Sequence, residues 1–254
     1  MDGPVIVSFP GTAQTTRTEV GGKAASLIRM TEAGFPVPSG VVLTTSFFAP
    51  WFDAIKASPT WTRLTGATPE AWAPLCDALK ARARSLPLTA TQHDALGRLR
   101  RDLAVPSDAA RFAVRSSSPE EDLTSASFAG GYDTRLGVRP DDLEGAVRDC
   151  FASSLDVRVL SCKKERGFDV WSPGIAVIVQ RQIDSEVAGV AFSLNPLTVH
   201  MARCRRGDPR SPRTEGASRR PRVLKDAALH TVAEWVIARA ANARPLPPSR
   251  LTHL

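Results

Sequence analysis

The sequence predicts an α+β fold with a mostly antiparallel sheet, and three features of the chain lead to this prediction. Apolar runs rich in β-branched residues at 5–9, 41–44 and 174–180 are typical of β-strands. The segment 187–193 follows the last run after a polar turn, so we expect it to be the hairpin partner of 174–180. Between the strands, apolar residues at 53–104 recur at helical spacing.

The composition indicates a globular protein of ordinary size. The length of 254 residues is enough for one or two domains with a sizeable core. No apolar run could span a membrane, and the start MDGPVIVSFPG lacks the pattern of a signal peptide, so we expect a cytoplasmic protein. The cysteines lack CxxC spacing and are expected to be buried thiols, and the scattered histidines predict no metal site. These residues are Cys76, Cys150, Cys162, Cys204, His93, His200, His230 and His253.

The net charge of +7 belongs to the end of the chain. Residues 1–199 hold 21 Lys and Arg against 22 Asp and Glu, whereas residues 200–254 hold 12 against 4. A basic surface spread over the whole protein is therefore excluded. We expect neither a membrane nor nucleic acid to be a partner of the folded part.

The first candidate anion site lies at the start of a helix. Gly21 and Gly22 lead into an Ala/Leu-rich helix that carries Lys23 in its first turn and ends at Gly34. Free backbone N–H groups, the positive end of the helix and an ammonium group together suit an anion. The alternative at this point is a lysine that only solvates the helix end.

The next segments predict a strand followed by a helical region. Residues 35–40 form an extended proline-containing connector, and the strand at 41–44 precedes a helix that begins at 45–46. Two or three further helices over 53–104 would complete a helical cap at about 45–104. The apolar stripe of these helices is interpreted as core.

The second candidate anion site is the stretch 111–138, RFAVRSSSPEEDLTSASFAGGYDTRLGV. A short strand ends at Arg115, three serines and three acids follow, and a small-residue loop with Gly130 and Gly131 leads to Thr134 and a second strand. Glycine backbone N–H groups and an arginine fork are suited to phosphate oxygens. An ordinary hairpin turn with solvated serines is the alternative.

Helices are predicted from 139 to 167, before the buried strand at 174–180 that ends at Gln180. From the residues alone, Gln180 could simply be the polar end of a strand. The segment 199–254 is rich in Arg, Pro and Gly, and we expect it to be a basic, disordered tail, apart from a short helix at 229–241.

Three segments of this chain resemble the signature sequences of a known family. They are GGKAASLIRMTEAGFPVPSGVVLT, VRSSSPEEDLTSASFAGGYDT and AVIVQRQIDSEVAGVAFSLNP, and they occur in the order found in that family. The resemblance is to the ATP-binding domain of pyruvate phosphate dikinase, phosphoenolpyruvate synthase and rifampicin phosphotransferase. It covers about residues 18 to 198 and implies an ATP-grasp-like fold that binds Mg-ATP for phosphoryl transfer.

The resemblance also implies roles for individual residues. Lys23 and Arg115 would neutralise the phosphates and act in catalysis. The loop containing Gly130 and Gly131 would close over the phosphates through its N–H groups, and Thr134 would add a contact.

At the other end of the ligand, the resemblance implies that Gln180 reaches the nucleotide. Glu121 and Asp122 could orient Arg115 or the loop and are not obvious Mg²⁺ ligands. No metal ligands are identified in the chain, although Mg²⁺ is implied as a cofactor together with ATP.

Beyond residue 198 the chain departs from the family pattern, since the acidic metal ligands and a Gln-x-Arg motif are absent. One hypothesis is a truncated or frameshifted gene, and the alternative is a genuine basic tail. Separate phosphohistidine and acceptor-binding domains would then be partners supplied by other chains. The two functions that remain open are a kinase-type phosphotransferase and an inactive fragment or nucleotide-binding module without phosphotransfer.

Overall fold

A computed structural model describes residues 3–11, 14–103, 110–120, 132–171 and 174–183, together with the backbone of two strands at 187–191 and 235–239. The chain divides into two compact units, Met1–Asp184 and Ser185–Leu254. The predicted boundary at residue 198 and the expected tail at 199–254 remain predictions.

The first unit contains a five-stranded sheet in which the strand order is β1-β2-β5-β3-β4 and each neighbouring pair is antiparallel. This arrangement confirms the predicted α+β class and the antiparallel sheet. The second unit contains the antiparallel pair β6 and β7. The strands are β1 (Ile6–Phe9), β2 (Gly40–Leu43), β3 (Phe112–Ser117), β4 (Thr134–Val138), β5 (Ala176–Arg181), β6 (Val187–Ala191) and β7 (Trp235–Arg239).

Helices occupy the span in which a cap was expected, and two more follow β4. Several begin at polar caps that their sequences supply, such as Ser58, Asp156 and the capping box of Thr89 with Gln92. The helices are α1 (Arg17–Glu32), α2 (Thr45–Lys56), α3 (Pro59–Thr65), α4 (Trp72–Ser85), α5 (Ala90–Asp102), α6 (Leu143–Ser153) and α7 (Val157–Glu165), with short 3₁₀ turns at Pro69–Ala71 and Pro140–Asp142.

The central strands of the sheet, such as β2 and β5, are buried on both faces, because alternate residues of these strands enter two different apolar clusters. Val177 and Val179 of β5 pack with the aromatic residues of α2 and α6, where the rings of Phe48 and Phe151 stack with centroids 5.3 Å apart. Ile178 enters the other cluster, which lies beneath α1. The period of two in β5 thus places the large helical group on one face and α1 on the other.

Two predictions about strand pairing and helix position are wrong. The strand at 174–180 does not form a hairpin with 187–193, because both edges of β5 are already paired, one with β2 and one with β3. The segment 187–191 pairs instead with Trp235–Arg239, which was predicted to be helical. The run Trp-Val-Ile in β7 has the β-branched and aromatic character that favours a strand in the presence of a partner.

The cysteines of the described residues behave largely as expected. Cys76 and Cys150 are buried free thiols, and Cys162 is a half-buried one. Cys204 lies outside the described residues.

Asp156 joins α7 to α4 and provides a test of this packing. Its Oδ1 accepts a hydrogen bond from the Arg158 N–H at 3.0 Å, and its Oδ2 lies 2.9 Å from Lys80 Nζ. Burial opposes ionisation of the carboxyl, but the hydrogen bonds from Arg158 and Lys80 outweigh it and lower the pKa of Asp156 from its ordinary 3.8 to about 2.

We predict that Asp156→Asn lowers the free energy of unfolding at pH 7 by about 1–2 kcal/mol, since the N-cap loses its negative charge and a partly exposed ion pair is lost. Because the pKa is lower in the folded state, the carboxylate stabilises the fold above about pH 4, and this contribution disappears as the pH falls toward 2. Urea unfolding at pH 7, 5 and 3 should show a difference between the proteins that shrinks with acid.

Asp77→Asn is the matched control, because Asp77 also pairs with Lys80 but its side chain is 73% exposed. It should leave stability nearly unchanged at each pH. An Asp156→Asn effect that is the same at pH 7 and pH 3 would contradict the proposed origin of the stabilisation.

Candidate functional site

The two predicted anion-binding segments meet where α1 crosses the end of β3. Inside α1, Gly21 has non-helical angles of φ 77° and ψ 169°, which interrupt the helix just before Lys23. A Cβ atom at Gly21 would lie 2.2 Å from the carbonyl oxygen of Ser117. Glycine is required here both for the backbone conformation and for the close approach of the two segments.

Hydrogen bonds hold the turn of α1 against the serines of β3. The Gly22 N–H donates to the Ser118 carbonyl oxygen at 2.9 Å. The Ser117 hydroxyl, which is fully buried, donates to the Val20 carbonyl oxygen at 2.8 Å and accepts from the Ala24 N–H at 3.1 Å. The Gly-Gly-Lys segment and the Arg-Ser-Ser-Ser segment therefore form one structural element, which we call the GGK–SSS junction (residues 20–24 and 115–118).

Lys23 was predicted in the first turn of a helix; α1 begins earlier, at Arg17, and Lys23 follows its interruption at Gly21 and is half-buried. Lys23 stands between Gly22 and Ala24, whose N–H groups donate to Ser118 and Ser117, so its backbone is next to the end of β3.

Arg115 lies in the middle of three strands. In the register of the sheet it is opposite Thr134 of β4 on one side and Ile178 of β5 on the other. Directly opposed residues share one face of a sheet, and Ile178 belongs to the cluster under α1. Arg115 and Thr134 therefore lie on the face that carries α1 and Lys23.

Gln180 is on this face as well, because it follows Ile178 by two residues in β5. Its position is diagonal to Arg115, a relation that corresponds to about 7–8 Å between neighbouring strands. The side chain is 7% exposed, and its Nε2 donates to the Pro38 carbonyl oxygen at 2.9 Å. The amide is therefore oriented by the connector before β2.

The remaining predicted site residues are not part of this geometry. Gly130 and Gly131, with the small-residue loop, fall within 121–131 and lie outside the described residues. Glu121 and Asp122 lie there too. Of the predicted set, the structure brings Lys23, Arg115, Thr134 and Gln180 to one side of the sheet.

An ion pair that was not predicted from the sequence is connected to the junction through Ser118. Lys163 of α7 has a side chain that is only 1% exposed, and its Nζ lies 2.7 Å from Glu120 Oε2. Glu120 also accepts a hydrogen bond from the Ser118 hydroxyl at 3.2 Å. A signal was present, because Lys163 follows the apolar Val159 and Leu160 by four and three residues and so lies on the buried face of its helix.

Within the described part of the chain, no group of three or more His, Cys, Asp or Glu side chains could hold a metal ion. In the same part of the chain, no helix is both long and apolar enough to cross a membrane.

Comparison with known proteins identifies the family of the chain. Residues 17–205 match the family model of the pyruvate phosphate dikinase AMP/ATP-binding domain. The chain belongs to this family. The match includes both halves of the GGK–SSS junction and β5 with Gln180.

Curated relatives share about a third of the aligned residues. The chain is 33% identical over 187 residues to the uncharacterized phosphotransferase YvkC of Bacillus subtilis, covering 73% of this chain and 20% of that protein. It is 31% identical over 218 residues to phosphoenolpyruvate synthase of Pyrococcus furiosus, covering 70% and 27%. It is 33% identical over 199 residues to the prodigiosin synthesizing transferase PigC of Serratia marcescens, covering 78% and 21%. The chain thus spans about a fifth to a quarter of the length of these relatives.

We predict that Gly21→Ala destabilises the protein by at least about 3 kcal/mol, because a side chain is strained at this backbone conformation and also meets the Ser117 carbonyl group. Chemical denaturation measures this change.

Gly145→Ala is the matched control, since Gly145 lies inside α6 and an added Cβ would have no atom within 4 Å. This variant should be more stable than the wild type by about 0.5–1 kcal/mol. Equal stability of the two alanine variants would contradict the close contact at the junction.

Proposed function

We propose that this chain binds the phosphates of Mg-ATP at the GGK–SSS junction, as the nucleotide-binding part of a phosphotransferase related to pyruvate phosphate dikinase and phosphoenolpyruvate synthase. The observation that carries the proposal is the joining of two distant segments, which sets Lys23 after the interruption of α1 and Arg115 on the same side of the sheet. Two cations beside backbone N–H groups and hydroxyls suit a polyphosphate.

Each side chain contributes a different interaction in this proposal. Lys23 supplies a point charge, and Arg115 supplies a planar fork that can donate two hydrogen bonds to one phosphate. The Thr134 hydroxyl, opposite Arg115, donates a further bond. The backbone N–H groups of Gly130 and Gly131 close over the phosphates.

Gln180 is proposed to recognise the nucleotide rather than the phosphates. Its amide nitrogen is held by the Pro38 carbonyl group, so the side chain is oriented before any ligand arrives. Its Oε1 is then the atom that accepts a hydrogen bond from the amino group of adenine. The ATP-grasp-like arrangement implied by the family belongs to this proposal.

The metal of Mg-ATP is not assigned protein ligands. Mg²⁺ prefers carboxylate oxygens and water, and the described residues contain no group of carboxylates that fits it. We therefore assign the described residues to the phosphates, and the ion enters with the nucleotide.

Phosphoryl transfer is the reaction class that we propose for the complete system. Such a reaction depends mainly on positioning and on stabilising the charge of the transferring group, which Lys23 and Arg115 can supply. Since the chain spans only a fifth to a quarter of its relatives, the phosphohistidine and acceptor-binding functions would come from separate domains. A nucleotide-binding module without phosphotransfer is the second candidate, favoured by the same short coverage.

We predict that calorimetric titration of the purified chain with Mg-ATP shows saturable binding, and that Lys23→Ala and Arg115→Ala each raise Kd by about tenfold or more, because a hydrogen bond to a charged group contributes about 1.5–3 kcal/mol.

Each variant has a control, on the same helix for Lys23 and on the neighbouring strand for Arg115. Arg29→Ala changes an exposed cation near the end of α1, and Arg181→Ala changes an exposed cation at the end of β5. Both should bind as the wild type does. A folded wild-type chain that fails to bind, or equal losses in all four variants, would overturn the proposed site.

The two candidate functions differ in turnover. If the chain is a phosphotransferase on its own, ADP or AMP appears during incubation with Mg-ATP and does not appear with Arg115→Ala. Saturable binding without either product identifies the chain as a binding module. Chromatographic analysis of the nucleotides distinguishes the two results.

A further inference from the structure

We propose that Lys163 is a positioning residue of the nucleotide site, which acts through Glu120 and Ser118 on the GGK–SSS junction. The inference rests on the proposed function, since it concerns how that site is held in shape. Lys163 pairs with Glu120, and its role follows from a series of contacts that leads from Glu120 to the junction.

The first step is the burial of Lys163. Its side chain is 1% exposed, whereas lysine is rarely buried without a partner, because removing an ammonium group from water costs several kcal/mol. Both carboxylate oxygens of Glu120 lie within reach of Nζ, at 3.0 Å for Oε1 and 2.7 Å for Oε2. The position of Glu120 is therefore strongly constrained by α7.

The second step leads from Glu120 to the junction. Glu120 Oε2 accepts from the Ser118 hydroxyl at 3.2 Å, and the Glu120 N–H donates to the same hydroxyl oxygen at 3.3 Å. The Ser118 carbonyl oxygen accepts from the Gly22 N–H at 2.9 Å. A continuous series of polar contacts thus connects Lys163 to the residue that precedes Lys23.

The third step is the place of Glu120 in the chain. It follows Pro119, whose carbonyl oxygen accepts a hydrogen bond from Arg17 Nε of α1 at 3.1 Å. The ion pair with α7 is therefore next to a second contact between the end of β3 and α1. A displacement here would be transmitted to the turn carrying Lys23.

A second ion pair that involves α7 provides the control. Lys80 of α4 pairs with Asp156 at the start of α7 at 2.9 Å, and its side chain is 19% exposed. The side chains bonded to this pair, Asp77 and Arg158, belong to α4 and α7, so the pair holds α7 to α4. Loss of Lys80 tests the effect of destabilisation alone.

The experiment compares Lys163→Met, Glu120→Gln, the double variant and Lys80→Met in the full chain. Thermal unfolding gives Tm, calorimetry with Mg-ATP gives Kd, and hydrogen exchange measures the amides of Gly22 and Ala24. We expect Lys163→Met and Lys80→Met both to lower Tm. Of these two variants, only Lys163→Met should raise Kd, by about ten- to a hundredfold. Binding groups that are displaced lose affinity even though none of them is removed.

The double variant separates positioning from stability. Replacing both members of a buried pair removes the uncompensated charge, so Tm should recover relative to Lys163→Met. Kd should remain raised, because no ion pair with α7 then fixes the side chain at position 120 beside Ser118. Faster exchange of the Gly22 and Ala24 amides in Lys163→Met, but not in Lys80→Met, is expected as the direct sign of a loosened junction.

Three results would overturn the inference. Wild-type affinity in a folded Lys163→Met variant would do so, and so would a Kd that recovers together with Tm in the double variant. In both cases the proposed function would stand. A folded wild-type chain that does not bind Mg-ATP overturns the proposed function and this inference with it.

Discussion

The contact between Gly21 and the Ser117 carbonyl group is the constraint on which the arrangement of this protein depends. A helix can come this close to the end of a strand only where it lacks a side chain, and the interruption at Gly21 also turns the Gly22 and Ala24 N–H groups toward the serines. Once this contact is made, the burial of Ser117 and the placing of Lys23 beside β3 follow from short-range geometry. The arrangement of Lys23 and the serines therefore depends on a glycine that contributes no side chain.

The sheet supports this contact because its central strand is apolar on both faces. β5 joins β2 to β3, so that the large aromatic cluster on one side and α1 on the other are held by the same six residues. The register between β3 and β5 places Arg115 and Gln180 on the face that carries α1. The polar residues of the site are thus carried by a strand system whose stability comes from neighbouring apolar residues of the same strands.

The fold class was predictable because it depends on local patterns, and so were the segments that carry the candidate residues Lys23, Arg115 and Gln180. Helical spacing identified the segments of α4 and α5, and β-branched runs identified β2 and β5. The partners of the strands were not predictable in the same way: a continuous apolar run such as Val177–Val179 indicates burial without stating which strands will lie beside it, and the expected hairpin was wrong for this reason. Lys163 was missed because lysine is ordinarily exposed, and its burial depends on Glu120, which lies 43 residues away along the chain.

The junction also determines when during folding the site can exist. The bond from the Ser117 hydroxyl to the Val20 carbonyl group connects residues 97 positions apart, so a long loop containing most of the helices must close before the two segments meet. A partly folded chain would contain the helices and yet lack the junction. A ligand of this junction would consequently bind only to the fully closed chain. Such binding would raise the apparent stability of that state by mass action.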